Sequence, residues 1–262
     1  MVNNALVALR SAMLGLCVLV PPAAQAELSN ETMIGLGLRT RPAYEGSSAR
    51  LTELVPVLRY VGPMWFARST QGVLEGGARL ELAPGLHAGA QLSYESGRRS
   101  GDADFLERHG VATIGRGASL GLHAEWDTAL GPAPITLLAR LRRHTDADLG
   151  TQADLRLSVG VLRSGPLGVG VFTQATWADT RSNGAFYGIT PQQSTVTGLP
   201  VFSAGSGWLS ASAGLLWSFD VGAEWVAVGN LEARQLRGGA AGSPLVERRR
   251  SYAASAGLAR RF

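Results

Sequence analysis

Apolar and polar residues alternate along this chain in stretches of about ten, and the pattern runs to its last residue, Phe262. Such a period of two sends successive side chains to opposite faces of a strand. The clearest stretch sets Leu209, Ala211, Ala213, Leu215, Trp217 and Phe219 on one parity against Ser210, Ser212, Gly214, Ser218 and Asp220 on the other. Leu216 is its one departure. Repeated strand after strand, this is the pattern of a transmembrane antiparallel β-barrel, which shows lipid one face and a watery lumen the other. A soluble β-sandwich also uses short alternating strands. It needs neither ten-residue strands throughout nor connections that alternate between short and long.

The first residues read as a leader. Arg10 is the only charged side chain before Glu27, an apolar run spans 12–20, and Ala24-Gln25-Ala26 has the small-x-small form of a cleavage site. Residues 1–26 are therefore expected to be a secretory signal peptide, leaving 27–262 as one outer-membrane domain. The run is shorter than the roughly 20 apolar residues a spanning helix needs. Cys17, the only cysteine, lies inside it, and Leu16 stands where a lipoprotein signal needs a small residue. The mature chain would then hold neither disulfides nor Cys-bound metals. Composition is consistent with a barrel whose strands are half wet: 45% hydrophobic residues and 34 glycines, with a mean hydropathy of only +0.09. All 24 basic residues are arginine, and without Arg10 they stand 23 against 20 acids, a net charge of +3. Interspersed signs of this kind are not the clustered basic face that nucleic acid requires, so no nucleic-acid partner is expected.

Twelve strands are expected, over 31–39, 51–61, 64–69, 73–82, 85–96, 112–127, 133–144, 151–163, 167–179, 207–219, 223–236 and 249–262. The third and fourth carry the weakest pattern, which leaves ten strands as the alternative. Turns at Gly62-Pro63, Ala83-Pro84-Gly85, Leu130-Gly131-Pro132, Ser164-Gly165-Pro166 and Asp220-Val221-Gly222 alternate with long polar connections at 40–50, 97–111, 145–150, 180–206 and 237–248. Short periplasmic turns and long outer loops alternate in this way in outer-membrane barrels. Trp65, Trp126, Trp217, Phe219, Trp225 and Phe262 fall near the turn ends and Tyr94, Trp177 and Trp208 near the loop ends, as two interfacial girdles would. The last strand places Tyr252, Ala254, Ala256, Leu258 and Phe262 on one parity, similar to the C-terminal signal of assembled barrels, with Arg260 as a departure that can snorkel to headgroups.

The longest connection reads Trp177-Ala178-Asp179, then 185–194 as AFYGITPQQS, then 197–202 as TGLPVF. Together with Arg41-Pro42-x-Tyr44-Glu45-Gly46-Ser47 and Ser243-Pro244-Leu245-Val246 this closely resembles the MipA/OmpV family of outer-membrane proteins, with Ile189 for the usual valine and Thr197 for the usual serine. The resemblance covers the whole mature chain. It implies a barrel in contact with outer-membrane lipid that acts as a scaffold between a murein lytic transglycosylase and a murein synthase. All three motifs fall on connections assigned to the outer side, whereas a murein enzyme would approach from the periplasm. Phe186, Tyr187, Leu199 and Phe202 are expected to fold into the barrel mouth. The loop residues Tyr44, Glu45, Phe186, Tyr187, Pro191, Pro200 and Pro244 are the binding candidates, with loop rigidity as the alternative role.

Little in the sequence points to catalysis. His87, His109, His123 and His144 are the only histidines, no two share metal-ligand spacing, and no serine sits in a distinctive motif. Neither an enzymatic site nor a metal or cofactor is expected. Gly35-Leu36-Gly37 lies in an alternating strand and lacks the third glycine of a dinucleotide loop. The lumen parity carries Arg79, Glu81, Glu95, Glu125, Arg140, Arg142, Asp154, Arg156, Glu224, Glu232 and Arg234. Two readings stay open: these charges pair across strands and fill the interior, or they line a narrow pore for small solutes.

Overall fold

A computed structural model describes residues 32–70 and 73–262. The expected leader, 1–26, lies outside them. The described residues form twelve strands: β1 (Met33–Pro42), β2 (Arg50–Val61), β3 (Trp65–Thr70), β4 (Val73–Ala83), β5 (Leu86–Glu95), β6 (Gly117–Leu130), β7 (Ala133–His144), β8 (Thr151–Ser164), β9 (Leu167–Ala178), β10 (Gly207–Asp220), β11 (Trp225–Leu236) and β12 (Arg250–Arg261). Each strand pairs antiparallel with its sequence neighbours, and β1 pairs with β12 from Met33 opposite Arg261 to Thr40 opposite Ala254, so the barrel is closed. Both weak strands are present, and the count is twelve rather than ten. The largest shift from expectation is in β6, which begins at Gly117 rather than 112. Arg98 and Ile114 exchange backbone hydrogen bonds of 2.9 and 2.8 Å, which draws 112–116 into the outer loops instead.

Parity decides what faces lipid. Ile34, Leu36 and Leu38 on β1, Leu120 and Leu122 on β6, and Leu155 and Leu157 on β8 are exposed on the outside of the wall, while Ser119, His123, Asp154 and Arg156 on the same strands are buried in the lumen. A soluble protein would bury these leucines. In hydrocarbon they are the solvated face. Trp65, Trp126, Phe219, Trp225 and Phe262 remain exposed at the turn end, and Tyr94 and Trp208 at the loop end.

Two expectations are corrected. Leu209 does not face lipid. The register with β9 slips between Trp208 and Ser210, and this extra residue turns Leu209 inward, 7% exposed, while Trp208 stays outside at 59%. Glu224 is not in the lumen either: it lies in the β10–β11 turn and meets Arg260 at 3.0 Å. That pairing, with the Arg260 guanidinium 5.4 Å from the Phe262 ring, accommodates the unusual arginine of the last strand.

Ala213, midway along β10, is exposed on the lipid side and paired with Ala233. Ala213→Arg should cost about 2–4 kcal/mol, because it places a charge near the bilayer midplane, and Ala213→Leu should cost almost nothing. Urea midpoints in lipid vesicles measure this. Equal losses for the two variants would contradict a lipid-facing wall here.

Candidate functional site

The long outer loops form a lid with a core of its own. Within 179–206 the chain makes α2 (Thr180–Tyr187) and α3 (Pro191–Thr197). Asp179 caps α2, its carboxylate accepting from the Ser182 amide at 2.7 Å and, from across the loop, the Thr151 amide at 3.0 Å. Thr190 and Gln193 form a capping box on α3, with Pro191 at the first helical position and Gly198 (φ 69°) ending it in the left-handed region. Ile189 and Phe202 then exchange backbone hydrogen bonds of 2.8 and 2.9 Å, pinning the two ends of α3 together.

Three motifs far apart in sequence meet in this lid. The Tyr44 hydroxyl donates to the Leu245 carbonyl at 2.9 Å, and Ser243 Oγ donates to the Tyr187 carbonyl at 2.6 Å. Ala43, Tyr44, Ile189 and Leu245 pack with Ala103, Leu106 and Val111, while Tyr187 packs with Ala178, Ala204, Leu209 and Leu236. The Tyr44 and Tyr187 hydroxyls are held protonated, well above the ordinary tyrosine range, chiefly by burial. Sequence reading missed the contribution of the β5–β6 loop, where α1 (Asp104–Arg108) carries the fully buried Leu106. It also missed Arg98, buried in the same loop, which donates to the Phe186 carbonyl at 2.6 Å. Burial lowers its pKa. The apolar Phe105-Leu106 pair, followed by Val111 and Ile114 in a loop otherwise rich in charge, was the available signal.

The candidate residues separate within this frame. Tyr44, Glu45, Phe186 and Tyr187 face a cavity beneath the lid. Pro191 and Pro200 stay exposed on its outside, and Pro244 is half-buried within it.

Below the lid the lumen is crossed by a lattice of buried ion pairs. Arg68 bridges Glu75 (2.7 Å) and Glu125 (2.6 Å), Arg140 bridges Glu75 (2.9 Å) and Asp154 (3.5 Å), and Arg142 bridges Asp154 (2.9 Å) and Glu95 (2.9 Å). The lattice runs over six consecutive strands, β3 to β8. Beside it, on β8, Arg156 lies 4.3 Å from the Phe172 ring, and Arg234 on β11 pairs with Glu232 at 2.8 Å and with Glu45 of the lid. The buried His123 meets Phe66 edge-on at 4.9 Å, and His144 lies 6.1 Å from Phe186. Between lattice and lid is a cavity of about 240 Å³ whose lining includes six arginines and four carboxylates.

A closed twelve-strand wall, apolar outside and charged within, with short turns at one end and a folded lid at the other, defines an outer-membrane β-barrel. Residues 34–262 match the family model described as MltA-interacting protein MipA. The chain belongs to that family. No curated protein matches it. Among solved structures it is similar to an outer-membrane channel from Pseudomonas putida F1, at 12% identity and TM-score 0.46, covering 93% of this chain and 100% of that one. A bacterial polysaccharide outer membrane secretin shows 11% identity and TM-score 0.43, covering 90% and 100%. The outer-membrane expressed OmpT of Vibrio cholerae shows 7% and 0.40, covering 88% and 96%. Likenesses this distant carry no argument about function.

Two sets of variants test the site's energetics. Glu75→Leu leaves Arg140 and Arg68 short of a buried partner and should cost about 3–5 kcal/mol. Adding Arg140→Met should restore most of this, since Arg68 keeps Glu125 and Asp154 keeps Arg142. Urea midpoints of the single and double variants decide it, and additive losses would contradict the lattice.

The second concerns Asp179. Burial by itself would raise its pKa, but the Ser182 and Thr151 hydrogen bonds outweigh that and hold it below the ordinary carboxylate value. A lowered carboxylate pKa stabilises the fold above the unfolded value and loses that contribution as pH falls through the folded one. Cleavage within 179–206 by an acid-active protease should therefore increase as pH falls below about 4. Asp179→Asn, which keeps a cap, should flatten that dependence, and Asp179→Ala should loosen the lid by about 1 kcal/mol at neutral pH.

Proposed function

We propose that this outer-membrane barrel is a non-enzymatic interaction protein of the cell envelope, holding a murein lytic transglycosylase and a murein synthase at the membrane after a leader ending near Ala26 is removed. The observation that carries the reading is the filled lumen: charges that could line a conduit are spent on each other, from Arg68 to Arg142. Most of the buried lumen carboxylates are held in ion pairs, and the buried His123 and His144 lie against the Phe66 and Phe186 rings. The family's description, an MltA-interacting protein, supplies the class of partner.

This reading puts the motifs and the partner at opposite ends. The motifs build the lid. The partner would meet the turn end, where Arg163, Asp220, Glu224 and Arg260 form an ion-paired charged surface. A pulldown from the same cell envelope should enrich a lytic transglycosylase over an unrelated barrel. Arg163→Glu with Arg260→Glu should reduce the yield severalfold, as rim charges act mainly on encounter. Deleting 190–198 should not. Equal recovery on the unrelated barrel would overturn the scaffold reading.

The second reading is a narrow channel or uptake barrel for small solutes, favoured by the charged cavity under the lid. Planar-bilayer recording separates the two: the scaffold reading expects no conductance steps from the intact chain or from a 182–204 deletion.

A further inference from the structure

Among the described residues the barrel ring is closed, but the pairing between β2 and β3 is short near the loop end. β2 pairs with β1 over ten positions, from Arg50 opposite Pro42 to Arg59 opposite Met33. With β3 it pairs over three only, from Arg59 opposite Arg68 to Val61 opposite Phe66. Ser69 Oγ adds one further link, accepting from the Leu58 amide at 3.0 Å. Beyond Leu58, no described strand pairs with β2 on that side. The β3–β4 hairpin ends at Thr70 opposite Val73, and β4 leaves β5 after Glu75 opposite Ser93, so Tyr94 and Glu95 pair with β6 alone.

The sequence of β2 fits an open edge. Backbone groups of alternate residues point the same way, so if Leu58 faces β3, then Pro56, Leu54 and Thr52 face the gap. Proline loses no ladder bond there and blocks pairing with another strand. Above the gap, Ala49 and Leu51 pack against the Leu106 and Val111 cluster of the β5–β6 loop. Among the described residues the opening is thus a framed window, with β2 and Tyr94 at its sides and the Thr70–Val73 pair as its sill.

Two cavities reach this window. The one under the lid is lined by Thr70, Val73 and Tyr94 as well as by lumen residues, although Tyr94 projects to the lipid side and is 42% exposed. A second, of about 120 Å³, touches Pro56, Leu58 and Thr70 at the wall and has an apolar side of Met33, Leu216 and Val228 within, with Arg39, Arg59, Arg68 and Arg156 also on its lining. Arg39 and Thr70 border both. Glu53 is held by Arg41 through both oxygens, at 2.6 and 3.2 Å, and lies 3.9 Å from Arg39, which Glu232 also faces, while the cavity under the lid as a whole is lined by six arginines against four carboxylates.

We propose that this window is a lateral binding site for a single-chain anionic amphiphile from the outer leaflet, its carboxylate or phosphate head at Arg39 and its alkyl chain along the Met33, Leu216 and Val228 side of the inner cavity. A chain passing sideways from lipid onto the apolar side of this cavity avoids water, and a head of negative charge finds six arginines against four carboxylates around the cavity under the lid. A cationic head meets repulsion at the same point.

The full chain in lipid nanodiscs, titrated with a dansyl-labelled undecanoate, tests this. Saturable binding is expected, displaced by dodecanoate or by monododecyl phosphate but poorly by dodecyltrimethylammonium. Which anion displaces better identifies the head. Arg39→Gln should weaken the anionic probe roughly tenfold, the loss of one charge-assisted hydrogen bond. Thr70→Trp or Val73→Trp should obstruct the sill and lower binding, with heat-modifiable gel mobility confirming that each variant is folded. Absence of saturable binding, equal displacement by anion and cation, or binding unchanged in Arg39→Gln and in the folded tryptophan variants would overturn the proposal.

Discussion

Everything in this structure depends on closing the backbone's hydrogen bonds where there is no water to take them. An N–H or C=O left open in hydrocarbon costs several kcal/mol, roughly the cost of an unmade hydrogen bond in an apolar medium. The sheet therefore returns on itself, with β12 seated against β1. Closure then fixes parity around the whole wall, because a strand slipped by one residue would send leucines inward and arginines to lipid. Where the described pairing of β2 with β3 runs out, along the outer half of β2, the chain places Pro56, and loop residues pack above instead of a strand.

Closure also creates an interior that has to be filled. Burying charges is favourable only when each has partners in good geometry, and arginine suits this because its planar fork reaches two carboxylates at once. Arg68, Arg140 and Arg142 each do so here. Lysine, a single point charge, could not make the same lattice, and the chain contains none. The result ties six strands together across the lumen as well as around the wall. Small residues allow this at close quarters: on β10, Gly214 lies under the Phe172 ring, and a Cβ there would come within 2.6 Å of it.

The lid shows how distant motifs serve one purpose. Its helices are short and could not persist alone in water. They are held because Tyr44, Ser243 and Arg98 reach carbonyls of other loops and because Leu106 and Leu245 are removed from solvent together. The motifs at 41–47, 177–202 and 243–246 thus build one small polar-and-apolar core over the barrel mouth. Their outer placement no longer conflicts with a periplasmic partner once their task is to close the mouth.

Alternation was legible because lipid imposes it on every strand, so the barrel, the twelve spans and the alternation of turns and loops all follow from local pattern. Most lumen residues were legible for the same reason, Glu224 being an exception because it falls in a turn rather than on a strand. Three features were not. The inward turn of Leu209 comes from a single extra residue that breaks register with β9. The partners of Arg140 and Arg142 lie on strands whose relative stagger only closure sets. The window beside Pro56 exists because β3 stops at Thr70, which matters only once β2 is seen to lose its neighbour there. Parity is a property of one strand against its solvent and can be read from residue types. Register, partner choice and the length of a neighbour belong to pairs of strands, and only the closed barrel decides them.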